Sequence, residues 1–78
     1  MPTIKITVKL IGPLINLAGF SEKALELPAE TTVEEVLASL PVDPQRPKIV
    51  TRNGHAVAPG EKLRDGDRLA VSPIYSGG

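Results

Sequence analysis

The chain has 78 residues, and its nine basic side chains balance nine acidic ones. A neutral chain without a cluster of Lys or Arg lacks the electrostatic footprint of proteins that bind nucleic acid or anionic membranes. Hydrophobic residues make up 41% of the chain and aromatic residues only 3%, so the composition predicts one small domain with a core of Leu, Ile and Val.

Several kinds of site and segment are absent from the sequence. There is no cysteine, which excludes disulfides, thiolate nucleophiles and thiolate metal ligands. No apolar run approaches the roughly 20 residues of a membrane-spanning helix. The first residues lack the apolar stretch of a secretory signal. We therefore expect a cytoplasmic protein whose partners include no nucleic acid and no membrane.

The first third of the chain predicts a strand, a short helix and a second strand. Residues 3–10 (TIKITVKL) alternate apolar and polar side chains with period two, which is typical of a strand with one buried face. Pro13 suits the first position of a helix and Gly19 suits a left-handed end, so residues 13–18 are predicted to be a short α- or 3₁₀-helix. Residues 23–27 (KALEL) place two leucines on one face and predict a second, shorter strand.

A capping box predicts the start of the main helix of the chain. The hydroxyl of Thr32 can accept from the backbone N–H of Glu35, and the Glu35 side chain can reach back to the backbone of Thr32. The apolar residues that follow have the spacing of one helical face: Val33, Val36, Leu37 and Leu40. Pro41 ends the helix, and residues 42–47, which include two prolines, are predicted to be a loop.

A hairpin is predicted next. Residues 48–52 form its first strand around Ile49 and Val50. The pair Asn53-Gly54 is the strongest short signal for a tight hairpin, because a type I′ turn needs positive φ at both central residues. Val57 is assigned to the short return strand.

The last part of the chain predicts a connection followed by a final strand. Leu63 is expected to be a buried anchor in an otherwise charged connection. The sequence Asp65-Gly66-Asp67 predicts a tight turn, and Leu69 and Val71 mark the final strand.

The order strand, strand, helix, strand, short strand, strand predicts an α+β fold. The helix and the sheet each have one apolar face, so we predict a β-grasp: a mixed sheet of four to five strands covered by one main helix plus a short helical segment. A ferredoxin-like half or a small open barrel is the alternative on pattern alone, although the former expects a second full helix. Residues 1–72 are assigned to the domain and residues 73–78 to a flexible C-terminal tail, because Pro73 cannot donate to a ladder.

Candidate catalytic or metal-binding residues have ordinary structural explanations. His55 is the only histidine and follows the predicted turn, so we interpret it as a solvated turn residue. Carboxylates are grouped in two places, at Glu30, Glu34 and Glu35 and at Asp65 and Asp67. The first group suits the start of a helix and the second suits a turn. The sequence therefore predicts no metal site and no independent enzyme.

Several stretches together resemble a known family. They are GPLINLAG at residues 12–19, TVEEVLASL at residues 32–40, the Asn53-Gly54 hairpin, LRDGDRLAVSP at residues 63–73, and the terminal Gly77-Gly78. With them the whole chain resembles the ubiquitin-like sulfur carriers of the MoaD/ThiS superfamily, and most of all the small subunit of molybdopterin synthase. The LRDGD stretch and the terminal Gly-Gly form the most specific pair.

The resemblance implies a carrier that is modified by its partners. The C-terminal carboxylate of Gly78 would be adenylated by an E1-like adenylyltransferase that uses ATP and Mg²⁺. Sulfur from a persulfide donor enzyme would then displace AMP and leave a thiocarboxylate. The large subunit of molybdopterin synthase would receive the loaded tail. The chain would hold no permanent cofactor of its own.

The resemblance also assigns roles to residues near the C-terminus. Gly77 and Ser76 would belong to the thin tail that enters a partner, since glycine has no Cβ to block a narrow channel. Residues 73–78 would reach roughly 20 Å when extended. The residues expected to bind partners are Pro73, Ile74, Tyr75 and Arg68.

Other functions fit the same sequence. A ubiquitin-like protein modifier, joined through Gly78 to a lysine of a target, would share the activation chemistry. The tail reads SPIYSGG, whereas the molybdopterin branch often has two prolines and Ala or Val before the glycines. A carrier for a tungsten cofactor, for thiamine or for another sulfur-containing metabolite therefore stays open. A plain β-grasp interaction module, in which the Gly-Gly is incidental, is the remaining alternative.

Overall fold

A computed structural model describes residues 2–41 and 47–74 of the chain. Its elements are β1 (Thr3–Leu10), α1 (Leu14–Ala18), β2 (Glu22–Pro28), α2 (Val33–Ser39), β3 (Lys48–Arg52), β4 (His55–Ala56) and β5 (Arg68–Pro73). The predicted order of elements is confirmed. Of the loop predicted for residues 42–47, residues 42–46 lie outside the described residues.

The five strands form one mixed sheet in the order β2-β1-β5-β3-β4. The pair β1–β5 is parallel, and the other neighbouring pairs are antiparallel. The first and the last strand of the chain therefore lie side by side, and β5 occupies the centre of the sheet. This arrangement confirms the predicted α+β class and the β-grasp fold.

The core lies between α2 and one face of the sheet, and α1 contributes the buried Leu14 to it. Alternate residues of β1 and β5 point into it, as the period-two pattern predicts. Its buried hydrophobic residues are aliphatic, as predicted: Ile4, Ile6, Val8, Leu10, Leu14, Val33, Val36, Leu40, Leu63, Leu69 and Val71. Phe20 packs against this cluster from its margin and is only partly buried.

The predicted capping box of α2 is present. The hydroxyl of Thr32 accepts from the backbone N–H of Glu35 at 3.2 Å, and Oε1 of Glu35 accepts from the backbone N–H of Thr32 at 3.3 Å. The helix ends at Ser39, because Leu40 has an extended backbone and Pro41 follows it. Neither helix in the described parts of the chain is long and apolar enough to cross a membrane.

The hairpin turn has the predicted geometry. Asn53 and Gly54 have φ values of 52° and 84°, so both lie in the left-handed region that a type I′ turn requires. The assignment of Val57 to the return strand is wrong by one residue, because β4 ends at Ala56. The backbone N–H of Val57 still donates to the carbonyl of Val50 at 3.3 Å, which keeps Val57 beside β3.

The connection between β4 and β5 is anchored by one apolar and one acidic side chain. Leu63 is buried in the core, as predicted. Asp67 is buried as well, and its carboxylate accepts from the backbone N–H of Arg64 at 2.8 Å and from Nδ2 of Asn53 at 3.2 Å. Nε of Arg52 lies 3.9 Å from the same carboxylate. The connection is thus tied to the hairpin by hydrogen bonds that satisfy a buried charge.

The strand β2 is one residue longer at each end than the predicted range of 23–27. Its leucines share the core-facing side, as predicted, but Leu25 and Leu27 are only partly buried. The reason is position: β2 is an edge strand, so its outer side has no neighbouring strand in the described sheet.

Candidate functional site

The strand β5 carries the chain from the core to the predicted tail. Leu69 and Val71 are buried, whereas Ile74, the first residue after the strand, is exposed. On the β1 side of β5, the N–H of Ile11 donates to the carbonyl of Val71 at 3.0 Å. On the β3 side, the N–H of Ile74 donates to the carbonyl of Pro47 at 3.3 Å. The backbone therefore stays hydrogen-bonded through Ile74.

Pro73 is the last residue of β5 and pairs with Lys48, so the strand extends one residue beyond the predicted domain boundary at residue 72. Regular pairing was expected to weaken at Pro73 and does not, and backbone alternation explains why. Val71 directs its carbonyl to β1 and Ile74 directs its N–H to the β3 side, so the nitrogen of Pro73 faces the β1 side. The ladder with β3 therefore loses no donor there. The division into a domain and a tail stays a prediction.

The sheet has a second face, which points away from α2 and which we call the open face. All of its residues are exposed or half-buried. By strand alternation it consists of Thr3, Lys5, Thr7, Lys9 and Ile11 from the first strand region, Glu22, Ala24, Glu26 and Pro28 from β2, Ile49 and Thr51 from β3, Ala56 from β4, and Arg68, Ala70, Ser72 and Ile74 from the last strand region.

Three isoleucines are exposed on the open face where β5 ends. Ile11, Ile49 and Ile74 are 41%, 51% and 49% exposed, respectively. Ile49 is the direct register partner of Ser72, and Ile74 lies two residues beyond Ser72 on the same face. Ile11 follows Leu10, the register partner of Val71, and so flanks Ser72 from the other side. We call Ile11, Ile49 and Ile74 the isoleucine patch.

Sequence reasoning named Ile74 but missed Ile11 and Ile49. The pattern Ile49-Val50 showed two adjacent apolar residues in one strand, and only one of two neighbours can face the core. That signal was available, but it does not say which of the two is exposed. The answer depends on the pairing of Val50 with the buried Val71 in the centre of the sheet.

The structure separates Arg68 from the other predicted partner-binding residues. Arg68 lies on the open face, but at the start of β5, and Ile74 lies after its end. Six residues of strand place the two roughly 20 Å apart. The guanidinium of Arg68 lies 3.4 Å from the carboxylate of Glu22, and its backbone N–H donates to Oδ1 of Asn53 at 3.0 Å.

The half of the open face around Arg68 is charged. Cross-strand register places Lys5 opposite Glu26 and Lys9 opposite Glu22. The open face is thus divided into a charged half, built by β1 and β2 with Arg68, and an apolar half that contains the isoleucine patch. Ile74, the last described residue, belongs to the apolar half.

Residue Gly78, which was predicted to carry the chemistry, lies outside the described residues. The same holds for the predicted tail residues Gly77 and Ser76 and for Tyr75, which was predicted to bind partners. Their roles stay predictions, and so do the partner contacts of Pro73, Ile74 and Arg68. What the structure adds is the surface from which residues 75–78 start.

The other candidate groups have structural roles, but Glu30 lies in the turn before α2 and not in the first helical turn, which contains Glu34 and Glu35. His55 is exposed at the hairpin. Glu30 lies 3.6 Å from the ammonium of Lys62, and the carboxylate of Asp65 accepts from the backbone N–H of Lys5 at 2.8 Å. Across residues 2–41 and 47–74, no group of three or more His, Cys, Asp or Glu side chains is placed to hold a metal ion.

A family model described as the ThiS family matches residues 8–78, which is nearly the whole chain. The chain belongs to the ThiS family. This match confirms the resemblance of the sequence to the ubiquitin-like sulfur carriers. No curated protein matches the chain in sequence.

Solved structures agree with the family. SAMP1, the small archaeal modifier protein 1 of Haloferax volcanii, is 30% identical over 95% of this chain and 99% of its own, with a TM-score of 0.78. A Pyrococcus furiosus protein provisionally described as molybdopterin converting factor, subunit 1, is 26% identical over 92% of this chain and 99% of its own, with a TM-score of 0.80. Caldiarchaeum subterraneum ubiquitin, 24% identical over 99% and 100% of the two chains with a TM-score of 0.66, shares the fold.

Proposed function

We propose that the chain is a sulfur carrier that supplies sulfur for molybdopterin, the pterin of the molybdenum and tungsten cofactors. Membership of the ThiS family and the likeness to the Pyrococcus furiosus protein support this proposal. The structural observation that carries it is the position of the isoleucine patch. An exposed apolar surface lies at the end of the central strand β5, directly before residues 75–78, which end in Gly-Gly.

The chemistry belongs to Gly78 and to the partners. A carboxylate resists attack by sulfur because its leaving group is poor. An E1-like adenylyltransferase joins the Gly78 carboxylate to the α-phosphate of ATP and releases pyrophosphate, with Mg²⁺ bound by that enzyme. The terminal sulfur of a donor persulfide then attacks the carbonyl, and AMP leaves. A second thiol of the donor cleaves the acyl disulfide, which yields the thiocarboxylate and a donor disulfide.

This chain contributes the surface that its partners bind. A few residues near the centre of an interface commonly dominate its binding free energy. Ile49 and Ile74 are large and exposed, and Ile74 directly precedes residues 75–78, so a partner that covers them also covers the point where the predicted tail starts. The large subunit of molybdopterin synthase and the E1-like enzyme would use this surface in turn, and the carrier would act as a co-substrate of both.

Arg68 would contribute to recognition at a distance from the tail. Its side chain is 73% exposed, so its ion pair with Glu22 is worth little on its own. An exposed charge at the rim of an interface acts mainly on the rate of association. We therefore assign Arg68 to steering an acidic partner, and the isoleucine patch to holding it.

The test is intact mass spectrometry of the chain with its natural C-terminus. The chain is incubated with the host's E1-like adenylyltransferase, ATP, Mg²⁺ and a persulfide donor. We expect the replacement of one oxygen by sulfur at Gly78, and no change in a Gly78 deletion. Absence of both the adenylate and the thiocarboxylate would contradict the proposal.

A matched pair of variants tests the role of the patch in the same assay. Ile49→Asp places a charge in the isoleucine patch, whereas Leu17→Asp places it on α1 at another exposed apolar residue, which is 65% exposed. We expect Ile49→Asp to raise the KM for the carrier and Leu17→Asp to leave it unchanged. Equal effects of the two variants would show that the patch has no special role.

Protein modification is the second candidate, and the likeness to SAMP1 at 30% identity favours it. The activated Gly78 carbonyl would then be attacked by a lysine amine of a target instead of by sulfur, with formation of an isopeptide bond. Peptides that carry the C-terminal glycines on lysine in a host extract would support this function. A chain found only as the thiocarboxylate would support the carrier alone.

A further inference from the structure

The strand β2 has one long edge beside which no other strand of the described chain lies. At its two ends, the N–H of Leu10 donates to the carbonyl of Ser21 at 2.8 Å, and the N–H of Ala29 donates to the carbonyl of Pro2 at 3.2 Å. Because backbone groups alternate along a strand, the odd-numbered residues of β2 face β1 and the even-numbered ones face outward. A row of outward N–H and C=O groups is thus presented by Glu22, Ala24 and Glu26.

The outward row ends at Pro28. This residue has no N–H, and its carbonyl already accepts from the backbone N–H of Thr31 at 3.3 Å and from the Thr31 hydroxyl at 2.7 Å. The other edge strand of the described sheet, β4, is only two residues long. Within the described chain, residues 22–26 are therefore the longest stretch along which a further strand can add to the sheet.

The charges along this edge determine which strand fits it. On the open face, Lys9 lies beside Glu22 and Lys5 lies beside Glu26, so the sign of the charge alternates from β1 to β2. Both glutamates are exposed, and their outer sides face no neighbouring strand of the described sheet. Opposite charges on neighbouring strands attract, and like charges directly opposite one another repel. A strand with basic residues opposite Glu22 and Glu26 continues the alternation.

The core-facing side of the same edge adds an apolar requirement. Leu25 and Leu27 pack against the core but are only half-buried. An apolar cleft adjoins the end of the strand and is lined mainly by Pro2, Leu27, Pro28 and Ala29, together with the acidic Glu26 and Glu30. Apolar residues opposite Leu25 and Leu27 would remove this surface from water, which favours binding.

A second copy of the chain fits this edge poorly. Two copies of one strand pair antiparallel about a two-fold axis, and the register that uses the whole outward row places Ala24 opposite itself. Glu22 of each copy then lies directly opposite Glu26 of the other, which is repulsive. A register shifted by two residues in either direction aligns only part of the row. Charge complementarity therefore selects a different protein.

We propose that the β2 edge binds an extended segment of a partner protein, in which basic residues face Glu22 and Glu26 and apolar residues face Leu25 and Leu27. The segment adds to the sheet as an antiparallel strand. The backbone of the outward row supplies the hydrogen bonds, and the side chains on the two faces select the sequence. This inference uses the described residues alone and does not depend on the proposed function.

The test is a titration of the ¹⁵N-labelled chain with the capped peptide VKVTEK, followed by nuclear magnetic resonance. In antiparallel alignment its residues lie opposite residues 27, 26, 25, 24, 23 and 22 in that order. The control peptide VEVTKE has the charges reversed. We expect shift changes that concentrate on Glu22, Ala24 and Glu26, and a Kd for VKVTEK that is at least about tenfold lower than that for VEVTKE. Equal Kd values, or shift changes elsewhere, would overturn the proposal.

Two variants test the backbone and the charges separately. Ala24→Pro removes one outward N–H and leaves the ladder with β1 complete, so it should weaken binding of VKVTEK by at least about tenfold. The double variant Glu22→Lys and Glu26→Lys should bind VEVTKE more tightly than VKVTEK. Unchanged amide shifts of Val8 and Val71 show that each variant is folded. A double variant that still prefers VKVTEK would overturn the proposal.

Sedimentation of the free chain tests the alternative occupant. We expect a monomer at the concentrations of the titration. A dimer that Ala24→Pro abolishes would overturn the proposal, because the edge would then belong to a second copy of the chain.

Discussion

The two faces of the sheet are built from the same strands but differ in what surrounds them. The face under α2 is sealed by aliphatic side chains, and Val8 and Val71 at its centre are fully buried. The open face has Lys5, Lys9 and Arg68 in one half and exposed isoleucines in the other. Neighbouring residues of one strand therefore lie in opposite environments.

The difference shows which residues hold the fold and which are available to partners. Replacing a buried residue costs the free energy of packing, because interiors are close-packed. Replacing an exposed isoleucine costs little stability, so packing of the core does not explain why three of them surround Ser72. This contrast is why we assign the isoleucine patch to partner binding.

The largest expected effect is on the sealed face. Ile6→Ala should lower the free energy of unfolding by about 2–5 kcal/mol, because a buried isoleucine is truncated. The matched variant on the open face, Ile49→Ala, should cost less than about 1 kcal/mol. Urea denaturation followed by circular dichroism measures both. Equal losses would show that the two faces do not differ as described.

A smaller effect is expected at the acidic anchor of the connection before β5. Asp67→Ala leaves the backbone N–H of Arg64 without its carboxylate partner, which should cost about 1–3 kcal/mol. Asp65→Ala is the control, because Asp65 is exposed and water can replace it at the N–H of Lys5. The same denaturation experiment should show the larger loss for Asp67. The reverse order would contradict the role given to the buried carboxylate.

The capping box should contribute less again. Thr32→Ala removes the oxygen that accepts from the N–H of Glu35 and should cost about 1 kcal/mol. Thr32→Ser keeps the oxygen and should cost only a fraction of that. If thermal denaturation shows the two variants to be equally destabilised, then the methyl group and not the cap is responsible.

The smallest effect on stability is expected on the charged half of the open face. A double-mutant cycle on Arg68 and Glu22 should give a coupling of at most about 0.5 kcal/mol, which salt should reduce further. Arg68→Glu should nevertheless slow association with the E1-like partner at low salt. A large coupling energy together with an unchanged association rate would contradict this. Arg68 would then stabilise the fold and would not contribute to partner binding.

The elements of the fold could be predicted where their signals are local. The strict alternation of β1 and the capping box of α2 each specify an element within about ten residues. The Asn53-Gly54 pair specifies its turn through backbone sterics alone. These elements were found because they need no knowledge of distant neighbours.

The candidate site could be predicted only in part, because it depends on pairing between distant segments. The exposure of Ile49 follows from its register with Ser72, and that of Ile11 from the parallel pairing of β1 with β5. The effect of Pro73 likewise depends on which neighbour its nitrogen faces. Local periodicity contains none of this information, whereas the importance of Gly77 and Gly78 came from the family resemblance.

The most direct test of the account is to map the partner surface on the chain. Nuclear magnetic resonance spectra of the ¹⁵N-labelled chain are recorded during titration with the host's E1-like adenylyltransferase. The account predicts that shift changes concentrate on the isoleucine patch and Ser72, and leave Glu34 and Ala38 on the outer side of α2 unchanged. Changes that concentrate on Glu34 and Ala38 would contradict it, because the partner would then hold the chain by its helix and not by the open face.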